Sequence, residues 1–172
     1  MPNVAELLVA EKEKTEDQAV RRVLFVCTGN TCRSPMAAAV LNHMSAERAT
    51  DKQTLIATSA GLYATEGAPI SQHAVDALGE AGIPPTEGND YPSHRARTVT
   101  EEILREADEV IAITARHAMD LMLRFPAYAA KIETLPMDIA DPYGGDKEVY
   151  RDCLQLLSLA IGMRWFAGED RA

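Results

Sequence analysis

Four short apolar runs, each long enough for a buried strand, alternate with stretches whose apolar residues recur every three to four positions. The runs occupy residues 23–27, 54–58, 109–114 and 131–135. Continuous apolar runs are typical of parallel strands covered on both faces, and the intervening period is that of an amphipathic helix. The pattern therefore predicts an α/β fold, a three-layer sandwich with a central four-stranded parallel sheet and helices on both faces.

The last predicted helix has the longest stripe of apolar positions. Its members are Val149, Cys153, Leu156, Leu157, Ala160 and Ile161. Because these positions recur every three to four residues, they lie on one face of a helix. We expect that face to pack on the sheet.

Length and composition fit one domain. The chain has 172 residues, of which 47% are hydrophobic, enough for a single core. We assign residues 22–172 to this domain and residues 1–21 to a charge-rich extension that is frayed or forms a short helix. The extension lacks the pattern of a signal peptide, and no run approaches the roughly 18 apolar residues of a membrane span. The sequence therefore predicts no membrane partner.

The net charge of −9 argues against nucleic acid as a partner, because phosphate backbones require clustered positive charge. The chain contains only three cysteines, which suggests free thiols rather than a disulfide framework. Both features favour a cytoplasmic protein.

A polar loop with a cysteine at its start joins the first predicted strand to the next helix. Its residues are Cys27, Thr28, Gly29, Asn30, Thr31, Cys32, Arg33, Ser34 and Pro35. Ser34 followed by Pro35 is typical of a helix N-cap and first helical position. Backbone N–H groups at such a strand-to-helix junction converge on anions, and the helix dipole adds to the attraction. The loop is therefore a candidate phosphate-binding site.

The spacing within this loop suggests a role for each residue. A loop that curls around a tetrahedral anion brings the Cys27 sulfur beneath phosphorus and the Arg33 guanidinium beside two oxygens. A helix N-terminus and a nearby cation favour the thiolate, the nucleophilic form of cysteine. Gly29 permits positive φ or a close approach to the anion, and Asn30 tolerates left-handed geometry. Ser34 is placed to donate its hydroxyl to the thiolate.

Two alternative functions of the loop require residues that the chain does not supply. A nucleotide-binding loop requires the pattern Gly-x4-Gly-Lys-Ser/Thr, which is absent. A zinc site requires a second pair of Cys or His at suitable spacing, and Cys27 and Cys32 have none. We therefore expect no metal and no organic cofactor.

Phosphoryl transfer to sulfur needs an acid that protonates the leaving group. Asp141 is the candidate, in the turn Asp141-Pro142-Tyr143-Gly144-Gly145, which follows the last predicted strand. Since Cys27 also follows a strand, both residues should meet at the carboxyl edge of the parallel sheet.

Four separated motifs resemble the low-molecular-weight protein tyrosine phosphatase family. They are residues 23–37, Ser59-Ala60-Gly61, residues 93–97 and Asp141-Pro142-Tyr143. The resemblance spans about residues 22 to 168 and implies a two-step mechanism. Cys27 forms a phosphocysteine, Arg33 holds the phosphoryl group, and Asp141 protonates the leaving group and then activates water.

The resemblance also implies a supporting network. Asn30, Ser59 and His94 would be hydrogen-bonded and keep the loop ready for an anion, while Ser34 would stabilise the thiolate. His43, His73 and His117 have no partners at metal spacing, and we expect them to be surface or satisfied residues.

Two positions bear on the substrate, which the resemblance implies to be a phosphorylated protein. Thr31 stands where tyrosine-specific members generally carry Ile or Leu, and it matches the Thr of the family's bacterial protein arginine phosphatases. Tyr143 is followed by Gly144, where tyrosine-specific members often have a second aromatic residue. We therefore favour phosphoarginine, with Asp141 as proton donor and charge partner. Phosphotyrosine is the alternative if Tyr143 alone stacks the phenol.

The role of Cys32 and two alternative functions of the chain remain to be considered. In relatives the residue corresponding to Cys32 forms a reversible disulfide with the nucleophile, and the alternative here is a buried spectator thiol. An arsenate reductase of this fold needs two further cysteines, and only Cys153 lies outside the loop. A non-catalytic phosphoprotein-binding module would lack Cys27 or Asp141, and both are present.

Overall fold

The computed structural model describes residues 19–48 and 53–168. These residues form four strands, five α-helices and two short 3-10 helices. In chain order the strands and α-helices are β1 (Ala19–Cys27), α1 (Arg33–Glu47), β2 (Gln53–Gly61), α2 (Gln72–Glu80), α3 (Glu101–Glu106), β3 (Glu109–Ala112), α4 (Ala115–Arg124), β4 (Ile132–Thr134) and α5 (Lys147–Trp165). The 3-10 helices are Tyr91–Ser93 and Pro126–Lys131.

The strands form one sheet in the order β2-β1-β3-β4, and every neighbouring pair is parallel. The predicted four-stranded parallel sheet is therefore confirmed. β1 begins at Ala19, four residues before the predicted apolar run, and pairs with β2 along its whole length. Residues 19–22 are exposed, so strand pairing continues beyond the buried part and carries no hydrophobic signal there.

Helices cover both faces of the sheet, as predicted. Val23 and Phe25 of β1 belong to a core that includes side chains of α1, α2 and α5. Leu24 and Val26 belong to a second core with side chains of α3 and α4. Alternate residues of one strand point to opposite faces, so β1 lies at the centre of both cores. Its end, where the cysteine loop begins, is held from both sides.

α5 departs from the predicted stripe at two positions. Val149 and Leu156 are exposed. The buried positions of the helix are Tyr150, Cys153, Leu154, Leu157, Ala160 and Ile161. The buried face is therefore rotated toward Tyr150 and Leu154, which places Val149 and Leu156 on its outer flank.

Residues 1–18 of the predicted extension lie outside the described part of the chain, whereas residues 19–21 belong to β1. Among the described helices, none has the length and apolar character needed to cross a bilayer.

Candidate active site

A cavity of about 360 Å³ opens at the carboxyl ends of β1 and β2. The cysteine loop supplies an unbroken part of its wall, residues 27–33. The full lining is Cys27, Thr28, Gly29, Asn30, Thr31, Cys32, Arg33, Tyr63, Thr65, Ala68, Asp141 and Tyr143. The structure thus brings the predicted nucleophile, the predicted arginine and the predicted acid to one cavity.

Asn30 holds the loop in shape from the inside. Its φ of 59° lies in the left-handed region, and it is the only non-glycine residue with positive φ among the residues described. Its side-chain Nδ2 donates to Ser34 Oγ (2.8 Å) and Ser59 Oγ (2.9 Å), and its Oδ1 accepts from the Arg97 backbone N–H (3.0 Å). Gly29, which the sequence also allows positive φ, does not adopt it. The sharp turn therefore falls on Asn30.

The Ser34 hydroxyl contacts Cys27 and does not cap the helix. α1 begins at Arg33, with Cys32 as the residue before it, so Ser34 lies in the first turn and the predicted N-cap is wrong. The Ser34 Oγ lies 2.9 Å from the Cys27 Sγ, and the Asn30 backbone N–H donates to the same sulfur (3.4 Å). Because its hydroxyl is engaged by Asn30 and Cys27, it does not cap the helix. Two donors are thus available to a thiolate at Cys27.

Arg33 and Asp141 face each other across the cavity. The Arg33 Nη2 lies 3.5 Å from the Asp141 Oδ2, and the Arg33 Nη1 donates to the Ile139 carbonyl oxygen (3.0 Å). Arg33 is buried, whereas 53% of the Asp141 side chain is exposed. Asp141 also accepts from the Tyr143 backbone N–H (3.1 Å), which fixes the turn. A buried guanidinium and a half-exposed carboxyl suit anion binding inside and proton transfer at the mouth.

His94 supports the loop from its outer side. Its Nε2 lies 2.8 Å from the Asn30 carbonyl oxygen, so this nitrogen donates. Burial lowers the pKa of His94, the hydrogen bond to Asn30 opposes that shift, and the charges of Arg97 and Arg95 lower it further. The predicted network of Asn30, Ser59 and His94 is therefore present as a set of contacts.

Strand β2 approaches the loop closely at Gly61. A Cβ at Gly61 would lie 2.6 Å from the Thr28 carbonyl oxygen and 3.1 Å from the Asn30 backbone nitrogen. Only glycine fits at this contact. The Ser59-Ala60-Gly61 motif thus supplies both a hydrogen-bond partner and the room that the loop needs.

Comparison with known proteins bears directly on this site. The family model "Low molecular weight phosphotyrosine protein phosphatase" matches residues 22–164. The chain belongs to this family.

Relatives whose names give two different substrates resemble this phosphatase. A protein-arginine-phosphatase of Geobacillus stearothermophilus is 42% identical over 76% of this chain and 84% of its own length. A solved low molecular weight protein tyrosine phosphatase from T. tengcongensis is 43% identical, with a TM-score of 0.73 over 82% of this chain and 95% of its own. A YwlE arginine phosphatase mutant with a phosphorylated active-site serine is 31% identical, with a TM-score of 0.73 over 81% of this chain and 90% of its own. The chain is therefore a cysteine-dependent phosphatase, which confirms the predicted enzyme class.

Sequence reasoning missed one aromatic residue of the phosphatase cavity. Tyr63 lines the cavity together with Tyr143 and is 65% exposed. The Arg124 guanidinium carbon lies 5.1 Å from the centroid of the Tyr63 ring, and its Nη1 donates to the Leu62 carbonyl oxygen. The cavity therefore contains a second aromatic residue, which the Gly144 position did not lead us to expect. Tyr63 follows the Ser59-Ala60-Gly61 motif by two residues, which was the available signal.

Tyr150 of α5 contacts the loop from the side of the first core. Its hydroxyl lies 3.2 Å from the Cys32 Sγ. Burial, with a contribution from the hydrogen bond to Cys32, raises the pKa of Tyr150 to about 12. Burial also raises the pKa of Cys153 to about 12, despite the nearby charge of Arg33. Both groups therefore remain protonated and neutral near neutral pH.

His117 lies beside the cavity with both ring nitrogens in hydrogen-bond contact. This is one of the two environments predicted for it. Its Nε2 lies 2.8 Å from the Thr28 Oγ1. The two residues are far apart in sequence, and no motif links them. As to metals, the described residues contain no cluster of three or more His, Cys, Asp or Glu side chains that could hold an ion.

Proposed function

We propose that this phosphatase hydrolyses phosphoarginine in proteins through a phosphocysteine intermediate. In the first step the Cys27 thiolate attacks phosphorus while Arg33 and the loop N–H groups bind the phosphoryl oxygens. The P–N bond breaks, and Asp141 gives its proton to the departing guanidine nitrogen. The position of Asp141 at the mouth, 3.5 Å from Arg33, supports this assignment.

In the second step water attacks the phosphocysteine. Asp141, now a carboxylate, accepts a proton from this water, and inorganic phosphate leaves with the Cys27 thiolate restored. Ser34 donates to the thiolate as leaving group, an assignment that the 2.9 Å contact supports. Asn30, Ser59 and His94 keep the loop in the shape that binds the anion. No step requires a metal or an organic cofactor.

The observation that carries the choice of phosphoarginine is Thr31 in the cavity wall. A phenol ring requires an apolar surface at that position, whereas a guanidinium requires hydrogen-bond acceptors. Thr31, Thr65 and the Asp141 carboxyl offer such acceptors within one cavity. The relative that is 42% identical is named a protein-arginine-phosphatase, which supports the same choice.

Phosphotyrosine is the second candidate, and Tyr63 favours it. Tyr63 and Tyr143 both line the cavity, so a planar group entering it meets two aromatic rings. Tyrosine rings also stack on a guanidinium, however, so the pair serves either substrate. The distinction therefore depends on Thr31.

The test compares kcat/KM for a phosphoarginine peptide and a phosphotyrosine peptide of otherwise equal sequence. Wild type should prefer phosphoarginine, and Thr31→Ile should reduce that preference by about tenfold or more, the equivalent of one hydrogen bond plus a new apolar wall. Cys27→Ser gives the blank.

Thr86→Ile is the matched control, since Thr86 is exposed and outside the cavity lining. It should leave the preference unchanged. A preference for phosphotyrosine in both wild type and Thr31→Ile would keep the mechanism and assign the enzyme to phosphotyrosine.

We further propose that Cys32 protects Cys27 from irreversible oxidation by forming a disulfide with it. Both are free, buried thiols of one loop. Mild peroxide followed by mass spectrometry should detect the bridge. Sulfinic acid on Cys27 without a bridge would make Cys32 a spectator held by Tyr150.

We also propose that the enzyme acts in the cytoplasm on phosphorylated proteins and binds neither membranes nor nucleic acid. Three free cysteines fit a reducing compartment. A net charge of −9 opposes binding to polyanions.

A further inference from the structure

The side chain of His117 links helix α4 to the cysteine loop through two threonine hydroxyls. Its Nδ1 lies 3.0 Å from the Thr114 Oγ1, and its Nε2 lies 2.8 Å from the Thr28 Oγ1. His117 is 6% exposed, while Thr28 is exposed and lines the cavity. The buried ring is therefore hydrogen-bonded to a residue of the cavity wall.

The ring is neutral near neutral pH. Burial is the main cause that lowers the pKa of His117, and the charge of Arg33 lowers it further, while Asp120, Asp141 and Asp138 oppose the shift. A neutral imidazole has one N–H donor and one acceptor nitrogen. Its two hydrogen bonds must consequently run in one direction along the chain of three side chains.

The direction of the two His117 hydrogen bonds decides where the hydroxyl proton of Thr28 points. The Thr114 Oγ1 already accepts from the His117 backbone N–H (3.2 Å), so its own proton is free to go to Nδ1. His117 then donates from Nε2 to the Thr28 Oγ1, and the Thr28 proton is left for the cavity. In the opposite direction Thr28 gives its proton to the ring and presents only lone pairs to the cavity. A phosphoryl oxyanion stabilises the first arrangement, which presents the hydroxyl proton, and destabilises the second, which presents lone pairs.

We propose that His117 is a positioning residue that turns the hydroxyl proton of Thr28 toward the phosphoryl oxygens of the substrate. Thr28 thereby adds a side-chain donor to the N–H groups and the guanidinium of the loop. Thr114, at the start of α4, sets the ring tautomer. This inference rests on the phosphatase mechanism proposed above and adds to it a hydrogen-bond relay from α4 to the anion.

Kinetics of single and double variants test the relay on a generic aryl phosphate, with Cys27→Ser as the blank. His117→Leu and Thr28→Val should each lower kcat/KM about tenfold, as expected for one lost hydrogen bond to a charged group. The double variant should lose about as much as either single variant, since both remove the same donor. His117→Gln retains a donor toward Thr28 and should restore most of the activity.

His43→Leu is the matched control, because His43 is also helical but pairs with Glu47 outside the cavity. It should retain wild-type kcat/KM. Full activity in His117→Leu, or strictly multiplicative losses in the double variant, would overturn the relay. In either case an active wild type and an inactive Cys27→Ser would leave the phosphatase function standing, whereas an inactive wild type would remove that function first.

A spectroscopic measurement decides the same point on the unaltered protein, whatever the variants do to folding. Histidine ¹⁵N shifts in protein saturated with inorganic phosphate should show His117, assigned by its loss in His117→Gln, as the neutral Nε2–H tautomer. The Nδ1–H tautomer, or a cationic ring at neutral pH, would contradict the proposal.

Discussion

Replacing Asn30 by Ala removes three side-chain hydrogen bonds from the cysteine loop. Asn30 is fully buried and makes hydrogen bonds to Ser34, Ser59 and the backbone N–H of Arg97. It also holds a φ of 59°, which asparagine tolerates better than alanine. The substitution therefore affects the loop twice, through lost contacts and through backbone strain.

The magnitude follows from these contacts. Three hydrogen bonds at about 1 kcal/mol each contribute about 3 kcal/mol. The left-handed conformation adds about 1 kcal/mol of strain for alanine. We therefore expect the free energy of unfolding to fall by about 4 kcal/mol, a large part of the roughly 5–15 kcal/mol that stabilises a typical domain. Because the loop relaxes, kcat/KM should fall with it.

Asn42→Ala supplies the matched control. Asn42 makes two hydrogen bonds with the Ala57 backbone of β2 and lies outside the cavity lining. It should lose about 2 kcal/mol of stability, by the same arithmetic, and keep wild-type kcat/KM.

Urea unfolding and aryl phosphate hydrolysis measure both quantities on the same preparations. The reasoning fails if Asn30→Ala loses less than about 1 kcal/mol, the value of a single hydrogen bond. It also fails if both variants lose activity in proportion to stability.

Three other predictions follow from the geometry. Gly61→Ala should lower kcat/KM more than about tenfold, since its Cβ would press on the Thr28 carbonyl. Gly162→Ala, in open space on α5, should retain activity and gain about 0.5–1 kcal/mol of unfolding free energy in urea. Equal kinetics for the two variants would refute the steric argument. The lowered pKa values of His94 and His117 mean that the unfolded chain binds more protons than the folded one. The free energy of unfolding should therefore fall as pH decreases below about 6.5. His117→Gln should reduce the slope of unfolding free energy against pH. An unchanged slope in this variant would show that His117 does not contribute. Treatment with EDTA should leave kcat/KM unchanged because no step uses a metal, and chelator-sensitive hydrolysis would contradict the mechanism.

The fold and the central residues of the site could be predicted because their signals are contiguous in sequence. The apolar runs are buried strands, and Cys27 to Arg33 form one loop whose residue types carry phosphate chemistry. The position of Asp141 at the cavity could be predicted because a turn after a strand in a parallel sheet leads to the same edge. Local pattern and chemistry were sufficient for these features.

The remaining features depend on tertiary contacts that no local pattern encodes. Tyr63 and His117 approach the cavity from the connection after β2 and from α4, and neither belongs to a polar cluster in the sequence. Ser34 looks like a helix cap because serine before proline usually is one, yet its hydroxyl is taken by Asn30 and Cys27. Here a buried polar network prevailed over a local preference.

The packing of α5 on α1 has a consequence for biosynthesis. α1 begins at Arg33, and its apolar face shares a core with α5 residues from Tyr150 to Ile161. The ribosome therefore adds well over a hundred residues after the nucleophile before that core closes around the loop. A ribosome-bound chain stalled before α5 emerges should consequently be inert toward phosphorylated proteins, and turnover should begin only with late translation.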